Sequence, residues 1–175
     1  MKLMIASDLH GSAFYCRQLL AAMEREQPDK LLLLGDILYH GPRNDLPEGY
    51  APKEVIAMLN PLRERLLCVR GNCDLLDNGA KYDEFLVLEN FKLWLTHGHK
   101  YIQRQEKADL GYWAKTLDQD IVVYGHTHVP VNAYYGDTLL VNPGSPARPR
   151  GGSKPCFAVL TLQRGAKPEV EFIDL

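Results

Sequence analysis

Seven short apolar segments recur along the sequence, separated by amphipathic or polar stretches. They cover residues 3–6, 31–34, 66–69, 93–96, 121–124, 139–141 and 157–162. Segments of this length, bounded by turn residues, are typical of strands that are buried on both faces. The chain is therefore predicted to build its core from short buried strands.

Three helices are predicted between these segments. Cys16, Leu19, Leu20 and Met23 follow the i, i+3, i+4, i+7 spacing of an amphipathic helix, with Ser12 as a suitable N-cap. Pro52 fits the first turn of a second helix that stops at residues 60–61, and a third is expected around residues 110–117. Strands and helices alternate early, whereas the last third is rich in strands, which predicts an α/β (α+β) fold with mixed sheets.

Composition limits the classes of protein that this sequence can encode. A chain of 175 residues with 46% hydrophobic residues is expected to form a single domain over residues 1–175. Its 20 Lys+Arg and 22 Asp+Glu give a net charge of -2, which argues against a large nucleic-acid surface. The 4 cysteines form no CxxC pair and follow no signal sequence, which favours a reducing, cytoplasmic setting. The longest aliphatic run, residues 31–34, is far short of the ~20 residues that cross a membrane.

Side chains of the types that commonly bind metals follow five of the apolar segments. They are Asp8 and His10, Asp36, Asn72, His97, and His126 with His128. Because ligands bind at the carboxyl ends of strands in open α/β sheets, these groups are expected to converge on one site. Imidazole nitrogen and carboxylate oxygen together suit Mn²⁺, Zn²⁺ or Fe²⁺.

The spacing within the first and last groups supports this convergence. Asp8 and His10 are two residues apart, as are His126 and His128. In an extended chain, side chains at i and i+2 point to the same side. Each pair is therefore expected to face one site.

Five motifs that contain these residues occur in a fixed order. They are Asp8-Leu9-His10, Gly35-Asp36, Gly71-Asn72-Cys73-Asp74, His97-Gly98 and Gly125-His126-Thr127-His128. In this order the sequence resembles the calcineurin-like metallophosphoesterase superfamily. Residues 40–44 (HGPRN), 46–52 (LPEGYAP) and 142–145 (NPGS) resemble its YfcE-type phosphodiesterase branch. The resemblance implies a four-layer metallophosphoesterase fold in which two packed mixed β-sheets are flanked by helices.

The resemblance also implies a dinuclear metal centre. One ion would be bound by Asp8, His10, Asp36 and His128, and the other by Asp36, Asn72, His97 and His126. Mn²⁺ is the expected ion, with Zn²⁺, Fe²⁺, Ni²⁺ and Mg²⁺ as alternatives. The implied activity is hydrolysis of a small phosphodiester by a hydroxide that bridges the two ions.

Further residues are candidates for catalysis or substrate binding. The resemblance implies catalytic roles for Asp36, Asn72, Cys73 and Asp74, and His99 is a rival to His97 as ligand as well as a substitute acid. Cys73 stands where the superfamily usually has histidine, so weaker assistance to the leaving group is expected, although a space-filling role stays open. Candidate substrate-binding residues are Arg43, Asn44, Ser145, Arg148 and Arg150.

Two other functions stay open at this stage. The same metals support a phosphomonoesterase or nucleotide phosphohydrolase, and a scaffold resembling the retromer small subunit has the same fold with an impaired centre. The expected partner is a small phosphodiester, without a membrane. Scattered apolar surface is also compatible with a homo-oligomer.

Overall fold

Two five-stranded mixed sheets form the centre of the computed structural model, which describes residues 1–74 and 80–175. The first sheet contains β1 (Lys2–Ala6), β2 (Lys30–Leu33), β3 (Leu66–Cys68), β9 (Cys156–Thr161) and β10 (Glu169–Asp174), in the order β10-β9-β1-β2-β3. The second contains β4 (Asp83–Leu88), β5 (Phe91–Thr96), β6 (Ile121–Tyr124), β7 (Pro130–Tyr135) and β8 (Thr138–Pro143), in the order β4-β5-β6-β8-β7.

The three predicted helices are present in the structure. They are α1 (Ala13–Glu26), α2 (Pro52–Leu59) and α3 (Glu106–Thr116), and a short 3-10 helix, Asn60–Leu62, follows α2. Ser12 caps α1 as expected, because its hydroxyl accepts the backbone N–H of Tyr15 at 3.2 Å. None of the helices in residues 1–74 and 80–175 combines the length and apolar content that a bilayer crossing requires.

Alternation of side chains along the buried strands divides the core into layers. In β1, Leu3 and Ile5 pack between the two sheets, whereas Met4 and Ala6 belong to the core shared with α1 and α2. On the outer face of the second sheet, α3 packs against Trp94 and its neighbours. The order helix, sheet, sheet, helix confirms the predicted four-layer fold.

Parallel strands determine where the functional loops lie. In the first sheet β1, β2 and β3 are parallel, and in the second β5, β6 and β8 are parallel. Loops that leave the carboxyl ends of parallel neighbours lie on one edge of their sheet. The candidate ligands follow β1, β2, β3, β5 and β6.

Each of the seven apolar segments forms a strand, but three further strands were not predicted. These are β4, β7 and β10, and each lies at the edge of its sheet. Their residues are mostly half-buried or exposed. In β7 and β10 polar residues interrupt the apolar ones, as expected for an edge strand with a solvated face, so the pattern used for the central strands does not detect them. β4 does contain an apolar run, residues 85–88, which the prediction missed.

Candidate metal centre

The loops after β1, β2, β5 and β6 bring carboxylates and imidazoles into contact. Three clusters have ligand atoms within 4.8 Å of one another: Asp8, His10 and His128; Asp8, Asp36 and His97; and His10, Asp36 and Cys73. Every one of these side chains is buried. Asp8 belongs to two of the clusters and Asp36 to two, so the clusters form one continuous site.

The distances around Asp8 show that nitrogens converge on a single carboxylate oxygen. Asp8 Oδ1 lies 3.1 Å from His128 Nε2, 3.7 Å from His10 Nε2 and 3.9 Å from His97 Nε2. Asp36 Oδ2 lies 3.5 Å from His97 Nε2. Nevertheless, Asp8 Oδ1 and His10 Nε2 have no hydrogen-bond partner among residues 1–74 and 80–175. Buried polar atoms without such partners are costly, and a cation between them would satisfy both.

Main-chain carbonyls determine which nitrogen each histidine offers to the site. Nδ1 lies next to a carbonyl oxygen in His10 (Tyr39, 3.0 Å), His97 (Leu34, 2.6 Å) and His128 (Arg148, 2.8 Å). A carbonyl only accepts hydrogen bonds, so Nδ1 must donate, and in the neutral ring Nε2 then carries a lone pair. This arrangement of the outer nitrogen is typical of histidines that bind metals.

The backbone at these residues is not extended, contrary to the expectation from spacing. Asp8 has φ 58° and His10 has φ 47°, and His126 and His128 have φ 69° and 61°. Asp36, at φ 52°, is also in the left-handed region. Side chains at i and i+2 therefore face the same site because both residues have left-handed backbone conformations in a turn. They do not face it from an extended strand. Such conformations are strained for residues with a Cβ and are concentrated at functional sites.

Asp74 positions the loop that carries Asp36. Its buried carboxylate accepts the backbone N–H groups of Asp36 at 2.8 Å, Ile37 at 3.0 Å and Gly71 at 2.9 Å. Asp36 Oδ1 in turn accepts the N–H of Cys73 at 2.7 Å. The loops after β2 and β3 approach so closely that a Cβ on Gly71 would lie 2.1 Å from Asp36 Oδ1. Glycine is required there by space rather than by its φ angle.

Electrostatics at the site show how strongly it favours positive charge. Burial by itself raises the pKa of Asp8, but the charge of His97 and contacts with His128 and His10 hold that pKa well below its usual range. Burial by itself lowers the pKa of His97, but Asp8 and Asp36 raise it to about 9. Two carboxylates thus retain a proton on a buried imidazole. A divalent cation bound between them would provide that positive charge instead.

The remaining predicted ligands lie beside these clusters. Asn72 Oδ1 is 3.1 Å from His97 Nε2, and the Asn72 side chain is exposed. The half-buried His126 ring is 5.1 Å from the His97 ring, and its backbone N–H donates to Asp8 Oδ2 at 3.0 Å. In the structure, all seven predicted ligands thus lie around one site. Their donor set, carboxylate and amide oxygen with imidazole nitrogen, fits divalent transition metals.

Cys73 and His99, predicted as catalytic residues, also border this site. Cys73 is buried, and its thiol accepts a hydrogen bond from Asn72 Nδ2 at 3.2 Å. Burial, with a further contribution from Asp36, raises the pKa of Cys73 to about 12. The half-buried ring of His99 lies 5.3 Å from the ring of His97, and burial lowers its pKa to about 4.

The five predicted substrate-binding residues differ in how freely they face solvent. Arg43 and Arg150 are exposed, Asn44 and Arg148 are half-buried, and Ser145 is fully buried. Asn44 Nδ2 donates to His40 O at 2.8 Å, and Arg148 donates to Asp45 O at 2.8 Å. Ser145 donates to the carbonyl of Asp8 and accepts the N–H of Arg148, so its hydroxyl already bonds to main chain on both sides.

A polar network that the sequence did not reveal fixes the turn at residues 125–128. Asn142 Nδ2 donates to Gly125 O at 2.9 Å and to Thr127 Oγ1 at 3.0 Å. Thr127 Oγ1 donates to Glu106 at 3.1 Å. These contacts join β8 and α3 to the loop after β6, and no local sequence pattern signals such pairings. The network orients the turn that carries His126 and His128.

Comparisons with known proteins agree with this geometry. The model of the calcineurin-like phosphoesterase superfamily domain matches residues 1–165. Phosphodiesterase YfcE of Escherichia coli (strain K12) is 39% identical over 173 residues, which cover 91% of this chain and 87% of the relative. Probable metallophosphoesterase YsnB of Bacillus subtilis (strain 168) is 29% identical over 175 residues, or 99% of this chain and 91% of the relative.

Solved structures give the same relationship. The structure of YfcE, a phosphoesterase from E. coli, has a TM-score of 0.78 at 38% identity and covers 92% of this chain and 88% of its own. A Vps29 structure from Entamoeba histolytica has a TM-score of 0.73 at 23% identity and covers 100% of this chain and 99% of its own, which supports the fold alone. The chain therefore belongs to the calcineurin-like phosphoesterase superfamily and is a metal-dependent hydrolase of phosphoric esters.

Proposed function

We propose that this enzyme is a phosphodiesterase that hydrolyses a small phosphodiester with two divalent ions, most suitably Mn²⁺, in a single domain over residues 1–175. The observation that carries the proposal is the convergence of three imidazole Nε2 atoms on Asp8 Oδ1 at 3.1, 3.7 and 3.9 Å. The name of the E. coli relative, a phosphodiesterase with 39% identity, supports the diester as the substrate class.

The ligands divide into two sets that share one carboxylate. Asp8, His10, Asp36 and His128 would bind one ion, and Asp36, Asn72, His97 and His126 the other. Asp36 suits the bridging position because a carboxylate offers two oxygens, and its loop is held by Asp74 through the N–H groups of Asp36 and Ile37. When bound, such ions would supply positive charge for the phosphoryl oxygens and would lower the pKa of water, which would then provide hydroxide as the nucleophile.

The protein provides orientation and a low-dielectric setting. The three carbonyls next to Nδ1 of His10, His97 and His128 maintain each ring in one direction, so little reorganisation accompanies binding. Asp8 is held at both ends, by Ser145 at its carbonyl and by the N–H of His126 at Oδ2. A buried, pre-oriented site strengthens each electrostatic contact with a phosphate.

Cys73 limits the assistance that the protein gives to the departing alcohol. Because burial raises the pKa of its thiol to about 12, the group stays neutral near pH 7 and donates hydrogen bonds weakly. Asn72 Nδ2 points at the sulfur at 3.2 Å. Diesters whose leaving groups are already stable anions are therefore the favoured substrates.

The proposed partners follow from the same site and from the charge of the chain. A small diester fits a protein whose net charge is -2, because a long nucleic acid needs an extended basic surface. The proposed setting is the cytoplasm, where the 4 cysteines stay reduced. Association into a homo-oligomer is a further proposal, which light scattering of the purified protein tests.

The experiment that tests the activity compares a diester with its monoester. Hydrolysis of bis(4-nitrophenyl) phosphate and of 4-nitrophenyl phosphate is followed with EDTA and with Mn²⁺, Mg²⁺, Zn²⁺ or Ni²⁺. We expect the diester to be preferred, the rate to depend on metal and Asp36→Asn to be inactive. Asp137→Asn, at an exposed position, is the matched control that keeps full activity.

Two outcomes would contradict the proposal. Faster hydrolysis of the monoester would favour a phosphomonoesterase, and absence of hydrolysis by the folded protein with every metal would favour a scaffold. Elemental analysis of the dialysed enzyme tests the number of ions separately. One ion per chain, with full activity, would overturn the dinuclear centre but leave the substrate class intact.

A further inference from the structure

A group of cations surrounds one tyrosine next to the metal centre. Lys100 Nζ lies 3.1 Å from the centroid of the Tyr82 ring, and Arg70 Cζ lies 5.2 Å from the same centroid. Both separations are within the range of cation–π contacts. We refer to Arg70, Tyr82, His99 and Lys100 together as the Tyr82 cluster.

Aromatic contacts connect the Tyr82 cluster to the candidate metal ligands. The ring of His99 is 5.8 Å from the ring of Tyr82 and 5.3 Å from the ring of His97. It also lies 6.1 Å from the ring of His126. The His99 ring therefore connects Tyr82 to the candidate ligands His97 and His126.

The polar groups of the cluster are incompletely satisfied by the protein. His99 Nδ1 is buried without a hydrogen-bond partner within residues 1–74 and 80–175. In the same part of the chain, neither Lys100 nor Arg70 has a carboxylate within ion-pair distance. Arg70 Nε donates to the carbonyl of Asp74 at 3.0 Å, a neutral acceptor that fixes the guanidinium.

Nearby carboxylates are already bound to other groups. Asp83 accepts hydrogen bonds from Trp94 Nε1 at 2.9 Å and from Tyr101 at 2.7 Å. Glu84 is 3.4 Å from Lys81 Nζ. Trp94 and Tyr101 are neutral donors, so Asp83 keeps its negative charge, although both of its oxygens are engaged. Among residues 1–74 and 80–175, Lys100 and Arg70 still lack a carboxylate partner.

We propose that the Tyr82 cluster is a binding subsite for a second anionic group of the substrate, a phosphate or carboxylate carried by one of the two esterified alcohols. This proposal rests on the proposed phosphodiesterase function and specifies its substrate class. Lys100 and Arg70 would bind the anion, and Tyr82 would position the lysine ammonium. An anion is favoured over a stacked base because a cation already occupies a face of the Tyr82 ring.

The test measures binding of alkylphosphonates, which the enzyme does not hydrolyse, to the metal-loaded protein by calorimetry. 3-Carbamoylpropylphosphonate, 3-carboxypropylphosphonate and 3-aminopropylphosphonate share a phosphonate for the metal centre, and their tails end in a neutral amide, a carboxylate and an ammonium group. We expect the carboxylate to bind about tenfold more tightly than the neutral compound, and the amine more weakly. Equal affinities of the wild-type protein for all three compounds would overturn the proposal.

Variants assign the preference to particular side chains. Lys100→Gln should reduce the advantage of the carboxylate to about twofold or less, because the exposed charge is removed without a change of fold. Tyr82→Phe retains the aromatic face and should keep the preference, whereas Tyr82→Leu should weaken it. Lys167→Gln, in the exposed turn between β9 and β10, is the matched control. An unchanged preference in Lys100→Gln would contradict the assignment.

Failure of this proposal is distinguishable from failure of the proposed activity. If the enzyme hydrolyses the diester but wild-type protein ignores the charge of the phosphonate tail, the subsite is absent and the phosphodiesterase remains. If the charge preference depends on Lys100 but the diester is not hydrolysed, the subsite is present and the proposed activity is wrong.

Discussion

Ser145 donates its hydroxyl to the main-chain carbonyl of Asp8 at 2.8 Å, although 137 residues separate the two positions. The hydroxyl oxygen of Ser145 also accepts the backbone N–H of Arg148 at 2.9 Å. One buried hydroxyl therefore joins the loop after β8 to the loop after β1. This contact gives Ser145 a structural function at the loop that carries Asp8.

Replacement of Ser145 by alanine is expected to lower the free energy of unfolding by about 1 to 3 kcal/mol, because two buried main-chain groups lose their partner. Urea unfolding measures this change. Ser153→Ala is the control, since that hydroxyl bonds to Arg150 at the surface and should matter by less than about 0.5 kcal/mol. A variant with normal stability but a raised KM would instead indicate that Ser145 contacts substrate.

Removal of divalent metal is expected to destabilise the protein. The clustered carboxylates Asp8 and Asp36 gain a cation only in the folded state, so a metal at about 100 times its Kd adds about 2.7 kcal/mol of stability. Thermal unfolding with Mn²⁺ and with EDTA measures the difference. Asp36→Asn should respond to Mn²⁺ by less than half as much, and a response equal to that of the wild type would place the ions elsewhere.

Histidine at position 73 is expected to accelerate hydrolysis of diesters with poor leaving groups. An imidazole donates a proton near neutral pH, whereas burial keeps the pKa of the Cys73 thiol at about 12. We expect about tenfold or more for Cys73→His on an alkyl diester and little change on a 4-nitrophenyl diester. Cys73→Ala is the control without a donor. An equal gain on both substrates would show that the effect does not involve the leaving group.

Alkaline pH is expected to destabilise the fold partly through Cys16 in α1. Burial raises the pKa of this thiol from 9.0 to about 11, so the folded state favours the neutral form. Its contribution to stability is complete below about pH 9 and is lost as the pH rises to about 11. The unfolding free energy of Cys16→Ala should therefore fall less steeply over this range. Val55→Ala, which also truncates a buried side chain, should keep the wild-type slope.

The His126→Gly variant is expected to have a larger free energy of unfolding than the His126→Ala variant, with both measured in EDTA. His126 has φ 69°, a conformation that costs a residue with a Cβ about 1 to 2 kcal/mol. We expect the free energy of unfolding of the glycine variant to exceed that of the alanine variant by about 1 kcal/mol. The difference is smaller than the strain energy because glycine also makes the unfolded chain more flexible. At Glu24, an exposed position in α1, the order should reverse. Greater stability of alanine at both positions would contradict the argument.

Central strands, the edge strand β3 and the order of the ligand loops could be predicted from the sequence, whereas the edge strands β4, β7 and β10 were missed. Leu31 to Leu34 and similar runs are apolar because both faces are covered. In β10 exposed glutamates alternate with apolar residues, so no apolar run marks the strand. Phe85 and Val87 in β4 are apolar although they are exposed, so this strand was missed despite its apolar run. Burial therefore explains why β10 has no apolar run, whereas in β4 an apolar composition occurs without full burial.

Within the site, the residue types were predictable but the backbone that presents them was not. Asp8 and His10 were expected to face together from an extended strand, yet both are left-handed. Their conformation depends on hydrogen bonds to the next loop, such as His10 N to Asp36 O at 2.8 Å. The network from Asn142 through Thr127 to Glu106 likewise joins distant segments. Contacts of this range have no signature in local sequence.

The distribution of the candidate ligands over both sheets has a mechanical consequence. Asp8, His10 and Asp36 extend from the first sheet, and His97, His126 and His128 extend from the second. Ions bound by ligands from both sheets would cross-link the two sheets. Sliding of one sheet over the other would then require rupture of metal–ligand bonds, so the loaded enzyme should resist shear between its two sheets.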